Sequence, residues 1–350
     1  MRTDGQWRFG APNRSSEWVP AWSVLQRLFV DAEAEITGVE RLYDRLGAPP
    51  VGLKGGAVPI LLTVGLIQRR EDIAVYEEGT YQPRLTADLL ERLVRNPHRF
   101  ALKNFAASTG DRRHVIERLA LELNVDVTPT DRRRNSTVLA LISPLLGTVR
   151  DLPAFTLKTR LMSEQAIAVR DALLAARQPD EIVFRDLPAA VGLEKPDAVP
   201  SGDRRAVNEY AQRLAAAVRE LQHNWPDLME RIEGQLRLAM TTPPSTSLRA
   251  DLAARAQRLV DRVLDTRLRA FLLTACEDAL DDADWLEAVA LTAVDKPVRA
   301  WRDQDWPAFV AAATQLGGSL KRLEALNYEH IAQGSTEFTA RRFTITNPDG

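Results

Sequence analysis

The chain is predicted to be mainly α-helical, with a small α+β module in its first half and a separate helical bundle in its second. Three observations predict this. Val207, Tyr210, Leu214, Val218 and Leu221, and further on Leu252, Ala256, Leu259 and Val263, recur at three- and four-residue steps, the spacing that lines one face of a helix. Residues 73–76 and 80–82 are short runs of β-branched and aromatic residues around Glu78-Gly79, the pattern of a tight β-hairpin. With 350 residues, 45% of them hydrophobic and 27% charged, the chain buries a sizeable core and divides into two or three domains.

Taken in order, residues 1–19 are polar and form a loose arm that Trp7 and Trp18 can anchor. Residues 22–43 carry Leu25, Leu28, Phe29, Ile36 and Val39 at helical spacing, interrupted at Gly38 and ended by Ala48-Pro49-Pro50. Pro59 suits the first turn of the next helix, where its missing N–H costs nothing, and Ile60, Leu61, Val64 and Ile67 are expected to give that helix its buried face. The hairpin follows. Thr86 caps a helix through Val94 that Asn96-Pro97 stops, and residues 100–105 alternate as a third strand. Helix, hairpin, helix and strand in some fifty residues resemble a winged-helix module. In the usual winged helix, however, the recognition helix precedes the wing, whereas here the hairpin precedes the Thr86 helix, so the DNA-docking geometry does not carry over.

Helices are then expected at 112–123, at 137–149 with a kink or break at Pro144, and at 163–177, capped by Ser163 with Ile167, Arg170 and Leu174 marking its amphipathic pattern. Leu187-Pro188-Ala189-Ala190-Val191-Gly192 closes this part. Residues 194–202, with two prolines and a glycine, form the expected linker. In the second half Pro226 and Pro297 are expected to start new helices, residues 241–247 to separate two, and Gly317-Gly318 to interrupt the last. Residues 338–346 alternate like a strand, and the terminal Asp349-Gly350 is a hairpin signal with no second strand after it. That ending predicts a piece of a longer or split protein. The expected division is 1–47 as arm and helix, 48–193 as the winged-helix-like module with its following helices, and 203–350 as a helical domain.

The search for chemistry excludes more than it finds. Gly47 and Gly52 flank two prolines, and Lys54 has no hydroxyl neighbour, so the Gly-Lys-Ser/Thr end that a phosphate-binding loop needs is missing. Lys54 with Gly55-Gly56 could still offer N–H groups and charge to an anion at a helix start. His98, His114, His223 and His330 are scattered and none stands at metal spacing. Cys276 is the sole cysteine, which rules out an internal disulfide and leaves a packed thiol rather than a nucleophile. Glu277, Asp278, Asp281, Asp282 and Asp284 lack the Asp-x-Asp-x-Asp-Gly order of a calcium loop. Trp301 and Trp306 are expected to be core fillers rather than base-stacking platforms. No cofactor is implied. The longest apolar run, 58–67, is about half a membrane span and the N-terminus has no apolar signal core, so the expectation is a cytoplasmic protein with no membrane partner.

Charge is distributed unevenly. Net charge is −2, yet residues 84–160 hold fourteen Lys/Arg against eight Asp/Glu. A basic face in the first half therefore becomes a candidate nucleic-acid surface, made of Lys54, Arg92, Arg95, Arg99, Lys103, Arg112, Arg113 and the loop arginines Arg132, Arg133 and Arg134.

Two stretches carry a family resemblance. Gly52-Leu53-Lys54-Gly55-Gly56-Ala57-Val58-Pro59-Ile60-Leu61-Leu62, Ala74-Val75-Tyr76-Glu77-Glu78-Gly79-Thr80-Tyr81-Gln82-Pro83 and Arg95-Asn96-Pro97-His98-Arg99-Phe100 form the first. Leu152-Pro153-Ala154-Phe155-Thr156, Leu161-Met162-Ser163 and Leu187 to Gly192 form the second. Over residues 52–192 the chain resembles the C-terminal accessory region of large bacterial ATPases of phage-defence and other conflict loci. The resemblance implies no ATPase activity here, since the nucleotide-hydrolysing part of such proteins lies upstream and this sequence has no Gly-Lys-Ser/Thr loop. It implies an accessory module with an ATPase subunit, or the upstream ATPase domain of a longer protein, as partner. The expected function is a non-enzymatic module of a bacterial defence or DNA-transaction system that binds DNA weakly, a partner subunit, or both. The alternatives are a helical protein-interaction scaffold with no nucleic-acid contact, and an enzyme of unrecognised class.

Overall fold

The computed structural model describes residues 2–3, 6–7, 10–105, 110–127, 138–193 and 203–333. The expected linker 194–202, the strand-like tail 338–346 and the three arginines 132–134 lie outside them. The described chain is mainly helical with one small α+β module. It forms two compact units, Met1–Leu152 with Met162–Leu221, and Pro153–Leu161 with Gln222–Gly350. The division between them falls inside a helix at 221/222, downstream of the expected linker.

The first unit opens with two paired two-residue strands, β1 (Arg2–Thr3) and β2 (Gln6–Trp7). In place of the single helix expected at 22–43, the chain forms α1 (Val19–Ala34), a short strand β3 (Thr37–Gly38) and α2 (Glu40–Gly47). Residues 37–38 extend because Thr37 and Gly38 pair antiparallel with Leu102 and Ala101, partners more than sixty residues away that helical periodicity cannot register. A single 3₁₀ turn, Gly55–Ala57, leads into α3 (Val58–Gln68), with proline in its first turn as expected. Then come β4 (Ile73–Glu77), β5 (Thr80–Gln82), α4 (Ala87–Arg95), capped by Thr86 through the Leu89 N–H, and β6 (Phe100–Asn104). Glu78 and Gly79 both have positive φ, 50° and 77°, which is the two-residue turn whose twist matches a hairpin.

The sheet order is β3-β6-β4-β5 and all its pairings are antiparallel. This revises the comparison with a winged helix. The order helix, strand, helix, helix, strand, strand is present as α1, β3, α2, α3, β4 and β6, with β6 pairing both β3 and β4, while β5 and α4 enlarge the wing between the last two strands. The helix before the wing is therefore α3, and the Thr86 helix belongs to the wing. Leu25, Leu28, Phe29, Leu62, Val75 and Leu102 lie in one buried cluster that joins the sheet to α1 and α3.

This unit continues with α5 (Gly110–Leu123) and α6 (Val138–Arg150). Helix α6 runs through Pro144 without the expected break. Its residues Leu141, Ile142, Leu145 and Leu146 are buried on either side of the proline, and that packing outweighs the one hydrogen bond a proline removes. The chain next supplies α7 (Ala154–Lys158) to the second unit and returns as α8 (Glu164–Leu174), capped by Ser163. Arg170 is almost wholly buried instead of lying on a polar face. A helical stretch then runs through α9 (Pro179–Glu181), one π-helical segment Ile182–Asp186 and α10 (Leu187–Ala190). Pro188 accounts for the widening, since it has no N–H to give the carbonyl one turn back and its ring crowds that carbonyl. In the widened turn the Leu187 N–H goes to the Ile182 carbonyl, and the Val183 carbonyl accepts the Tyr210 hydroxyl at 2.8 Å.

Helix α11 (Arg204–Met240) passes unbroken through Pro226, and its first part belongs to the first unit and its second part to the second. The second unit continues with α12 (Leu248–Leu259), α13 (Thr266–Ala275), α14 (Asp282–Val294) and α15 (Asp305–Gln333). Gly317-Gly318 sits within α15 and does not interrupt it. One buried cluster runs through this unit, including Ile232, Leu252, Phe271, Trp285, Trp301 and Phe309. Trp301 is core, as expected, and Trp306 is half-buried with Arg231 stacked 4.3 Å over its ring.

Candidate functional site

Of the predicted basic residues that are described, Arg92, Arg95, Arg99 and Arg113 are each paired with a carboxylate. Arg92, on the last turn of α4, donates Nε and Nη2 to the two carboxylate oxygens of Glu77 at 2.8 and 2.9 Å. Arg99 donates Nε to Glu78 at 2.8 Å and closes on it with Nη2 as well. Both acids stand at the β4–β5 turn, so the wing tip is a cluster of two arginines matched by two glutamates. The Arg92 hydrogen bond holds the Glu77 carboxyl below the usual glutamate range, more strongly than burial raises it. Arg95 pairs with Glu91, and Arg113 donates to Glu117 at 2.7 Å, each one helical turn away. Exposed pairs of this kind add little stability, but they remove the uncompensated charge that a phosphate would meet.

Among the remaining described members, two lie over aromatic rings and one is exposed. Arg112 lies over the Phe184 ring at 4.9 Å, and Lys103 over Phe105 at 5.2 Å, contacts that use the cation's attraction to a ring face. Lys54 is exposed before the Gly55–Ala57 turn. Arg92, Arg95, Arg99 and Arg113 of the expected basic face are thus each closed by a neighbouring carboxylate, and Arg132, Arg133 and Arg134 lie outside the described residues.

The surface of α3 has the opposite character. Its inner residues Val58, Leu61, Leu62, Gly65 and Leu66 are buried. Its outer edge carries Ile60, 65% exposed, with Pro59, Thr63, Val64 and Ile67 half-buried beside it. Between Val58 and Gln68 there is no charged residue at all. A helix that reads the major groove needs side chains that hydrogen-bond base edges, and only Thr63 and Gln68 on α3 have that capacity.

Next to α3 lies a cavity of about 430 Å³ within the first unit. Ile67 closes it from α3, Ile73 and Val75 from β4, and Leu139 and Pro144 from α6. At its wall the Tyr81 hydroxyl and Ser143 Oγ are 2.7 Å apart, and Ser143 donates its own proton to the Leu139 carbonyl at 2.7 Å, which makes Tyr81 the donor of the pair. Burial pushes the Tyr81 phenol up to about 12.

Among the described residues no group of three His, Cys, Asp or Glu side chains stands close enough to hold a metal ion. Asp281 caps α14 and Asp282 pairs with Arg249 at 2.7 Å, so these members of the acidic run are in structural use. Cys276 is partly buried and burial raises its thiol, the direction opposite to activation of a nucleophile. No helix among the described residues is long and apolar enough to cross a membrane. Comparison with family models, with curated proteins and with solved structures finds no match.

The residues that sequence reasoning missed are Glu77 and Glu78, which neutralise Arg92 and Arg99 from 15 and 21 positions away. Ile60, Val64 and Ile67, expected with Leu61 to line the buried face of α3, lie instead at its outer edge, with Leu61 alone of the four buried, because the sheet and α1 pack on the face of Val58, Leu62, Gly65 and Leu66.

Proposed function

We propose that this chain is a non-enzymatic helical adaptor whose winged-helix-like module meets a protein partner along α3 and does not read nucleic acid. The observation that carries this is the composition of the helix in the recognition position. Its outer edge is Pro59, Ile60, Thr63, Val64 and Ile67, an apolar strip that gains by being covered and offers base edges almost nothing. The closed Arg–Glu pairs of the wing support the same reading, because contacts to a polyanion draw their affinity from releasing counterions to unpaired cations. The resemblance of residues 52–192 to accessory regions of conflict-system ATPases supplies the partner class, an ATPase subunit or an ATPase domain.

The test is site-specific photocrosslinking in the native host, with a photoreactive phenylalanine at position 60 and, as control, at the exposed Leu121 of α5. The expected result is a protein adduct at 60 that is absent at 121 and is lost when Val64→Asp is added. Adducts at 60 that are sensitive to nuclease would overturn the reading.

A further inference from the structure

We infer that the cavity between α3, β4, β5 and α6 is a binding site for a small amphipathic carboxylate, with Arg70 as the residue that takes the carboxylate. This goes beyond the adaptor reading and does not depend on it. At about 430 Å³ the space has the size of a pocket for a small organic molecule. One part of its lining is hydrocarbon, from Ile67, Ile73, Val75, Leu85 and Leu139, and the other part carries Arg70, Glu71, Gln82, Arg84 and Asp126.

The charges at its mouth differ in how they are used. Arg84 is fixed by Asp151, to which it donates Nη1 at 3.1 Å and Nη2 at 2.6 Å, and it lies so close over Gly147 of α6 that an added Cβ there would meet its Nη2 at 2.7 Å. Glu71 and Asp126 are both engaged. Arg70 is exposed, and among the described residues it has no hydrogen-bond or ion-pair partner. Arg70 is therefore the guanidinium of the lining that no carboxylate of the described residues closes, and it stands in the same lining as the hydrocarbon of Ile67, Ile73 and Val75. A guanidinium takes a carboxylate through two parallel hydrogen bonds. A bare hydrated anion would use Arg70 and leave the walls wet, and an uncharged hydrocarbon would use the walls alone. A molecule with both an apolar body and an anionic head uses Arg70 and the hydrocarbon part of the lining together.

The experiment titrates the full chain with octanoate, with octan-1-ol as the same body without charge, and with inorganic phosphate as the charge without a body. Methyl chemical shifts of Ile67, Val75 and Leu139 report where each probe sits. The expected result is saturable octanoate binding that shifts these methyls, weakened about ten-fold or more by Arg70→Gln while octan-1-ol binding stays the same. Ala140→Phe, which fills the cavity from α6, should abolish binding of both organic probes, with circular dichroism verifying that the variant folds. If Ala140→Phe does not fold, the methyl map and Arg70→Gln still decide. Octanoate binding that is unchanged in Arg70→Gln, phosphate binding as tight as octanoate, or no methyl shift with any probe would each overturn the inference.

Discussion

At the wing tip, the fate of single arginines depends on which carboxylate reaches them. Arg95 and Arg113 have partners one turn away on their own helices, Glu91 and Glu117, and that spacing is visible in the sequence. Arg92 and Arg99 have theirs across the hairpin, where only the fold brings Glu77 and Glu78 into range. Glu77 makes this testable. Its carboxyl is held below the ordinary range in the folded protein, first by the Arg92 hydrogen bond. A group whose folded value is depressed adds stability above its unfolded value, near 4.3, and that stability is lost as pH falls through the folded value. Arg92→Gln should therefore lower the urea midpoint at pH 7, and the gap from the parent protein should shrink as pH is taken well below about 4. A gap of constant size across that range would show that the pair does not set the Glu77 titration.

Helices in this chain continue through residues that usually end them. Pro144 in α6, Pro226 in α11 and Gly317-Gly318 in α15 were all expected to break or start an element. A proline or glycine costs a helix a fixed local amount, about 3 and about 1 kcal/mol respectively, and the buried residues on both sides outweigh it. Periodicity finds those residues but cannot weigh them, since their worth depends on what they pack against. Gly317 shows the point in reverse. A Cβ there would lie 2.2 Å from the Ala239 carbonyl oxygen of α11, so the glycine lets two helices of the second unit approach. Gly234, in the same α11, meets nothing within 4 Å. Opposite signs follow. Gly234→Ala should stabilise by up to about 1 kcal/mol through helix propensity, whereas Gly317→Ala should destabilise by about 1–3 kcal/mol through overpacking. Chemical denaturation of the two variants checks both. A stabilising Gly317→Ala would mean that the helices are not packed as described.

On the scale of the whole molecule, the chain's units do not coincide with the division read from its composition. The expected boundary was the Pro/Gly-rich stretch 194–202, because such stretches usually join domains. The first unit nevertheless includes Met162–Leu221, and thus the start of α11, whose Val207, Tyr210, Ala211, Leu214 and Leu221 are buried. Tyr210 also bonds the Val183 carbonyl of the π-helical segment. A fragment of residues 1–193 loses this helix and one of residues 1–221 keeps it. The shorter fragment should melt at least several degrees below the longer one, by calorimetry, because four or five buried side chains at about 1.5–3 kcal/mol each are withdrawn. Equal melting temperatures would place the start of α11 outside the first unit's core.

The sequence by itself determined the mainly helical class, the hairpin with its Glu78-Gly79 turn, the caps at Thr86 and Ser163 and the proline in the first turn of α3. These follow from contacts within a few residues, where periodicity and turn chemistry hold whatever the rest of the chain does. Only the tertiary structure decided that Thr37-Gly38 is a strand, that α3 is the helix before the wing, that the wing arginines are neutralised, and that a cavity lies beside Arg70. Each of those depends on groups distant in sequence coming within a few ångströms, and no local pattern records which distant group will arrive.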